Sequence, residues 1–151
     1  PGFQKEGVQI LHISGPSDFE KAREAYEAHP EAGKLVAFCS EMQRALSVAD
    51  LAGCRSGASS LTELSHYGIA SVLIPYPFAA DDHQTLNATI FTERGAAESW
   101  PQTELEEESF VSRLVALTRN REVLEKMATA MKSLAVPDAA EKVCAVIASA
   151  R

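Results

Sequence analysis

Leu51-Ala52-Gly53-Cys54-Arg55-Ser56-Gly57-Ala58-Ser59-Ser60-Leu61-Thr62-Glu63-Leu64 is the stretch on which the fold turns. A short apolar run, Leu51 to Cys54, stops at a knot of small hydroxyl and glycine residues, and a helical pattern starts immediately after it. That pattern continues to about Tyr67, with Gly68 as its natural C-terminal stop. A strand feeding directly into a helix is the repeating unit of open α/β sheets. Such turns lie at the carboxyl ends of strands, where ligands bind and where the first free backbone N–H groups of the helix point at whatever sits there.

The same alternation extends outward on both sides. Before the turn, Val8 to Ile13 reads as a strand closed by Ser14-Gly15-Pro16-Ser17, and Phe19 to His29 as a helix with Phe19, Ala22, Ala25 and Tyr26 on one face. Pro30 ends that helix; Lys34 to Phe38 is a second strand, and Glu41 to Ala49 a short helix with Met42, Ala45, Leu46 and Ala49 aligned. After the turn, Ser71 to Ile74 is a continuous apolar strand ending in Pro75-Tyr76-Pro77, whose two prolines forbid further ladder bonds and force an irregular loop through Asp82. Helical character resumes at His83, Gly95 stops it, and Ala96 to Trp100 reads as a last short strand. From Glu104 to Ala150 the pattern is helical, with breaks near Asn120 and at Pro137-Asp138, and the acidic run Glu104, Glu106, Glu107, Glu108 reads as a helix-start cap. Strands separated by helices predict an α/β, Rossmann-like parallel sheet with helices on both faces.

A chain of 151 residues suits one domain, expected over 1–151. Net charge is −7, and no segment clusters Lys and Arg with aromatics, which excludes a phosphate-backbone partner such as nucleic acid. Cys39, Cys54 and Cys144 are too scattered for a disulfide framework or a zinc knuckle; each sits in an apolar run, and a reduced cytoplasmic setting with buried thiols is expected. No segment is apolar for long enough to insert in a membrane, and the start of the chain lacks the regions of a signal peptide. The absence of an initiator Met suggests an excised domain.

Neither a dinucleotide fingerprint nor a Walker loop occurs, so an anion site must be of another kind. Ser56, Gly57, Ala58, Ser59 and Ser60 offer small side chains, hydroxyl donors and unpaired N–H groups that suit a diphosphate, although a serine here also serves as a simple helix cap. Glu63 has two readings: the carboxylate of an S-x-x-E capping box with Ser60, or an acceptor for the hydroxyls of a ribose. Arg55 suits either a phosphate or a structural ion pair. Asp81, Asp82 and His83 lack a further ligand at useful spacing, so Asp81 and Asp82 read as helix caps and no metal is expected. His83 and Gln84 suit sugar hydroxyls.

Two segments together carry a resemblance: Cys54 to Leu64, and Leu73-Ile74-Pro75-Tyr76-Pro77-Phe78-Ala79-Ala80-Asp81-Asp82-His83-Gln84-Thr85-Leu86-Asn87-Ala88. They closely resemble the C-terminal domain of the MurG family, peptidoglycan glycosyltransferases that move GlcNAc from UDP-GlcNAc onto lipid I to make lipid II. Pro137 to Val143 is similar to that family's C-terminal helix. The resemblance implies the donor-binding half of a GT-B enzyme that is inverting and needs no cofactor or metal. It implies that Glu63 holds the ribose hydroxyls of UDP and that Ser56, Gly57, Ala58, Ser59 and Ser60 line the diphosphate and sugar approach with Arg55 in support. It further implies that His83 and Gln84 contact GlcNAc, that backbone groups at Phe38 and Cys39 read the uracil edge, and that Asn87 orients the loop.

Departures from the family pattern add expectations. The family's opening glycine-rich loop and its N-terminal acceptor domain are not in this sequence, and His83 stands where some relatives have Gln. Catalytic residues are therefore expected to lie outside the chain, with weakened donor binding, little transfer by the chain alone, and self-association through a truncated sheet edge. The full-length enzyme is implied to work at the cytoplasmic face of the cell membrane on lipid I. Two other readings are a nucleotide-sugar-binding subunit serving a separate membrane partner, and a Rossmann-like interaction domain without a ligand.

Overall fold

Each apolar run becomes a strand and each amphipathic stretch a helix in the computed structural model, which describes residues 7–105 and 108–150. The order is β1 (Leu11–Ile13), α1 (Phe19–Ala28), β2 (Lys34–Val36), α2 (Met42–Ser47), β3 (Leu51–Cys54), α3 (Ala58–Tyr67), β4 (Ala70–Leu73), α4 (His83–Glu93), β5 (Ala97–Ser99), α5 (Glu108–Arg119), α6 (Arg121–Ser133) and α7 (Ala139–Ser149). Short 3-10 turns lie over Pro30–Ala32, Ala80–Asp82 and Gln102–Glu104.

β4 is the centre of the molecule. It pairs in parallel with β3 on one side and β5 on the other, with Cys54 opposite Leu73 and Leu73 opposite Ser99. Every residue of β4 is buried, as expected of a parallel strand covered on both faces. Alternation along it divides two cores: Leu73 packs with Leu61, Leu64, Ala88 and Met131, whereas Ala70 and Val72 pack with Leu117 and Met127. Ser71, fully buried, satisfies its hydroxyl on the Ile69 carbonyl at 2.9 Å. Gly68 ends α3 at φ 72, and both its own N–H and that of Ile69 close on the Leu64 carbonyl.

The expected parallel arrangement is present, but as two pieces. β1 pairs with β2, the other three strands form a separate sheet, and β1 does not bond to β3. All three residues of β1 are exposed, Leu11 and Ile13 among them.

The C-terminal helices follow the sequence breaks. Asn120 caps α6 by accepting the Val123 N–H at 3.1 Å. Of the acidic run, Glu104 lies in a 3-10 turn and Glu108 opens α5; Glu106 and Glu107 fall outside the described residues. α7 buries none of its residues, so Cys144 is exposed rather than a buried hydrophobe, because nothing in the described structure covers its helix. No described helix is long and apolar enough to cross a membrane.

Candidate functional site

Because Cys54 lies opposite Leu73, the turns leaving β3 and β4 emerge side by side. The first delivers Gly57 in an extended conformation (φ −70, ψ 146) as the N-cap of α3, with no side-chain cap. The first intrahelical bond runs from the Leu61 N–H to the Gly57 carbonyl, leaving the N–H groups of Ala58, Ser59 and Ser60 without a helical partner. Helix start and open donors thus coincide.

Ser60 is the third residue of α3 rather than its cap, so the Ser60–Glu63 capping box does not form. Glu63 is exposed and, among the described residues, makes no hydrogen bond or ion pair. It shares a helix face with Ser59 and Ser60, four and three residues before it. An unengaged carboxylate therefore stands beside two hydroxyls and a row of open N–H donors.

Ser56 is placed differently from its neighbours. It is fully buried, and its hydroxyl donates to the Gln84 carbonyl at 2.7 Å. Asn87 returns the contact, its Nδ2 donating to the Ser56 carbonyl at 3.1 Å. These two bonds join the β3–α3 turn to the first turns of α4. The Ser56 side chain acts inside the protein, while Ser59 stays exposed and Ser60 half-buried.

Arg55 clamps the strand ends. Its Nη1 donates to the carbonyls of Ile74 at 3.3 Å and Pro75 at 3.2 Å, its Nη2 to Gln102 Oε1 at 2.7 Å, and the guanidinium lies 5.4 Å from the Tyr76 ring centroid. The planar fork suits several carbonyls at once, as a lysine would not.

The β4–α4 loop carries His83 and Gln84 on the first turn of α4. Asp81 and Asp82 both adopt left-handed backbone, φ 50 and 51, uncommon for residues with a Cβ. Neither caps α4 through its side chain as the sequence suggests; the Asp82 carboxylate accepts the Thr85 hydroxyl at 2.6 Å instead. His83 Nδ1 sits 2.6 Å from the Ala80 carbonyl, and Gln84 Oε1 accepts the Tyr76 N–H at 3.0 Å. Among the described residues no three His, Cys, Asp or Glu side chains form a metal-ligand set.

Phe38 and Cys39 follow β2, where Phe38 is 79% exposed and both border an open cleft of about 350 Å³ with Leu11, Val36 and Arg44. A larger hollow, near 590 Å³, lies by Tyr67, Gly68 and Lys132 at the far end of α3 from its open N–H groups. That places it about 15 Å from the turn at a rise of about 1.5 Å per residue, outside the chemistry described above. Burial pushes the Cys54 thiol up to about 11, which lowers the fraction present as the reactive thiolate.

Tyr76, Gln102 and Ala80 also shape the site through the bonds above. Only the paired prolines hinted at Tyr76, by requiring a loop held by something other than a ladder. Gln102 is 47 residues from Arg55, and no local pattern connects them.

Residues 2–143 match the family model for the glycosyltransferase family 28 C-terminal domain. Among curated proteins, the chain is 42% identical over 146 residues to the UDP-N-acetylglucosamine--N-acetylmuramyl-(pentapeptide) pyrophosphoryl-undecaprenol N-acetylglucosamine transferase of Nitrosomonas eutropha, covering 97% of this chain and 40% of that protein. It is 42% identical over 142 residues to the protein of the same name from Gloeobacter violaceus, covering 94% of this chain and 40% of the relative. The crystal structure of Acinetobacter baumannii MurG superposes with a TM-score of 0.87 at 33% identity, over 99% of this chain and 44% of that one. The chain spans about 40% of the length of the curated relatives it matches.

Proposed function

The chain belongs to the glycosyltransferase family 28 C-terminal domain family, and from that premise we propose that it is the donor-binding part of a transferase that moves GlcNAc from UDP-GlcNAc onto an undecaprenyl-diphosphate-linked acceptor, lipid I, in peptidoglycan synthesis. The names of its relatives supply the donor and the acceptor class. The observation that carries the reading is the union of the two turns: Ser56 to Gln84 and Asn87 to Ser56 bring the open N-terminus of α3 and the polar first turn of α4 to one edge.

In this proposal the N–H groups of Ala58, Ser59 and Ser60, with the positive end of the α3 dipole, receive the diphosphate. Charge grows on that diphosphate as the bond to the sugar breaks, and donors already in place stabilise it without reorganising. Glu63 accepts the two ribose hydroxyls, charge-assisted bonds that fix the nucleoside on the face it shares with Ser59 and Ser60. Backbone groups at Phe38 and Cys39 read the uracil edge, and His83 and Gln84 hold the GlcNAc. Arg55 supports the loop. No metal or cofactor enters this scheme. The acceptor, and the base that activates its hydroxyl, belong to the part of the relatives that this chain does not span, which acts at the cytoplasmic membrane face; the chain alone binds donor and transfers little.

Calorimetric titration of the chain with UDP and UDP-GlcNAc tests the proposal. Saturable binding of both supports it. No binding of either at millimolar concentration would contradict it.

A further inference from the structure

Pro75-Tyr76-Pro77 is a segment that cannot hold itself in place. Neither proline has a backbone N–H, so past the end of β4 the main chain offers carbonyls and, at Tyr76, a single donor. Side chains from elsewhere engage both. The Tyr76 N–H donates to Gln84 Oε1 at 3.0 Å, and the carbonyls of Ile74 and Pro75 accept from Arg55 Nη1 at 3.3 and 3.2 Å. The guanidinium also lies 5.4 Å from the Tyr76 ring centroid. The course of the chain from β4 into α4 therefore depends on where the Arg55 guanidinium is held.

Arg55 is exposed and makes no ion pair among the described residues, and a long exposed side chain keeps its rotamer freedom unless its far end is fixed. One side chain does so: Arg55 Nη2 donates to Gln102 Oε1 at 2.7 Å. A guanidinium only donates, so the Gln102 amide must present its oxygen there. Gln102 arrives from the third strand of the sheet. Leu73 lies opposite Ser99, the Trp100 N–H carries the ladder on to the Leu73 carbonyl at 2.9 Å, Pro101 stops it, and Gln102 opens a 3-10 turn. Arg55 follows β3, Ile74 and Pro75 follow β4, and Gln102 follows β5, so one guanidinium ties the carboxyl ends of all three strands.

Resting on the donor-binding reading above, we propose that Gln102 is a positioning residue for the donor site: it fixes the Arg55 guanidinium, which sets the Pro75-Tyr76-Pro77 segment and, through Tyr76, the place of the first turn of α4 against the N-terminus of α3. Gln102 itself touches no ligand. The role requires an oxygen acceptor at position 102, which glutamate supplies and leucine does not. It requires a fork at position 55, because the single ammonium of a lysine does not span both carbonyls and the Gln102 amide.

Calorimetric titration of the whole 151-residue chain with UDP and with UDP-GlcNAc tests the proposal, using the wild type, Gln102→Leu, Gln102→Glu, Arg55→Lys and the Arg55→Lys/Gln102→Leu double variant. Gln102 is exposed, so the urea midpoint of Gln102→Leu should stay near that of the wild type. Its UDP-GlcNAc affinity should fall roughly three- to tenfold, the size of one neutral hydrogen bond loosened at the α4 end of the site, and its UDP affinity by less, so the ratio of the two affinities shifts. Gln102→Glu should restore that ratio. The double variant should bind no more weakly than Arg55→Lys alone, because both substitutions remove the same clamp. An unchanged ratio in Gln102→Leu, no recovery in Gln102→Glu, or additive losses in the double variant overturns the proposal, and the donor site stands as long as the wild type binds both ligands. If the wild type binds neither, the donor reading fails and the proposal falls with it.

Discussion

Replacing Ser56 by alanine separates two roles that its sequence position allows, a ligand contact and an internal strut. Ser56 has no exposed surface, and its hydroxyl makes one bond, 2.7 Å to the Gln84 carbonyl. Ser56→Ala removes that bond without orphaning the carbonyl, which still accepts the helical N–H four residues on in α4. The loss is therefore that of a single neutral hydrogen bond, about 1 kcal/mol, rather than the larger penalty of a stranded polar group. For a chain of this size about 1 kcal/mol lowers Tm by about 2–4 °C. Urea unfolding should show a lower midpoint at unchanged m, because the surface exposed on unfolding is the same. Nucleotide affinity should fall only slightly, through looser placement of α4. An unchanged urea midpoint together with a tenfold loss of UDP affinity would refute the strut and make the Ser56 hydroxyl a ligand contact.

Three further outcomes follow from the packing. Met131, with no exposed surface in the core that also holds Leu61, Leu64 and Leu73, should cost about 2–5 kcal/mol when cut to alanine, read as a drop in the urea midpoint. Gly68→Ala places a Cβ on a residue at φ 72 and 3.2 Å from the Lys132 Cβ, so it should destabilise by about 1–2 kcal/mol while leaving nucleotide binding at the other end of α3 unchanged. Cys54 has its folded-state pKa raised by burial from 9.0 to about 11, so its contribution is fully present below pH 9 and is lost as pH rises toward 11. Stability of the wild type should fall more steeply than that of Cys54→Ala across that window, and at pH 8 iodoacetamide should modify exposed Cys144 well before Cys54.

The alternation of elements was legible because each is marked by short-range chemistry. Leu51 to Cys54 is an apolar run ending at small hydroxyl and glycine residues, Ser71 to Ile74 one ending at paired prolines, Gly68 is a left-handed stop, and Asn120 is a side-chain cap. Division of the sheet was not legible, because strand order depends on which edges meet and not on any local pattern. The capping box at Ser60 and Glu63 matched in sequence but lay one turn inside the helix, since Gly57, three residues earlier, already provides the extended N-cap. Asp81 and Asp82 looked like caps by composition; their left-handed backbone turns them to shaping the loop instead. At the site, residue types pointed to the two turns, while the division of labour within them came from long-range bonds. Ser56 faces inward, and Arg55 reaches Gln102 across the strand ends.

Glu63 is proposed to hold the ribose of a uridine diphosphate whose phosphates sit on the N-terminus of α3. Its carboxylate is exposed and unengaged by any described residue, so Glu63→Ala should leave the fold intact by urea unfolding. Calorimetric titration of wild type and Glu63→Ala with UDP, side by side, is the most direct measurement. Loss of the charge-assisted bonds to the two hydroxyls, about 1.5–3 kcal/mol each, should weaken binding roughly a hundredfold or more. Equal UDP affinity in the two proteins would contradict the ribose assignment.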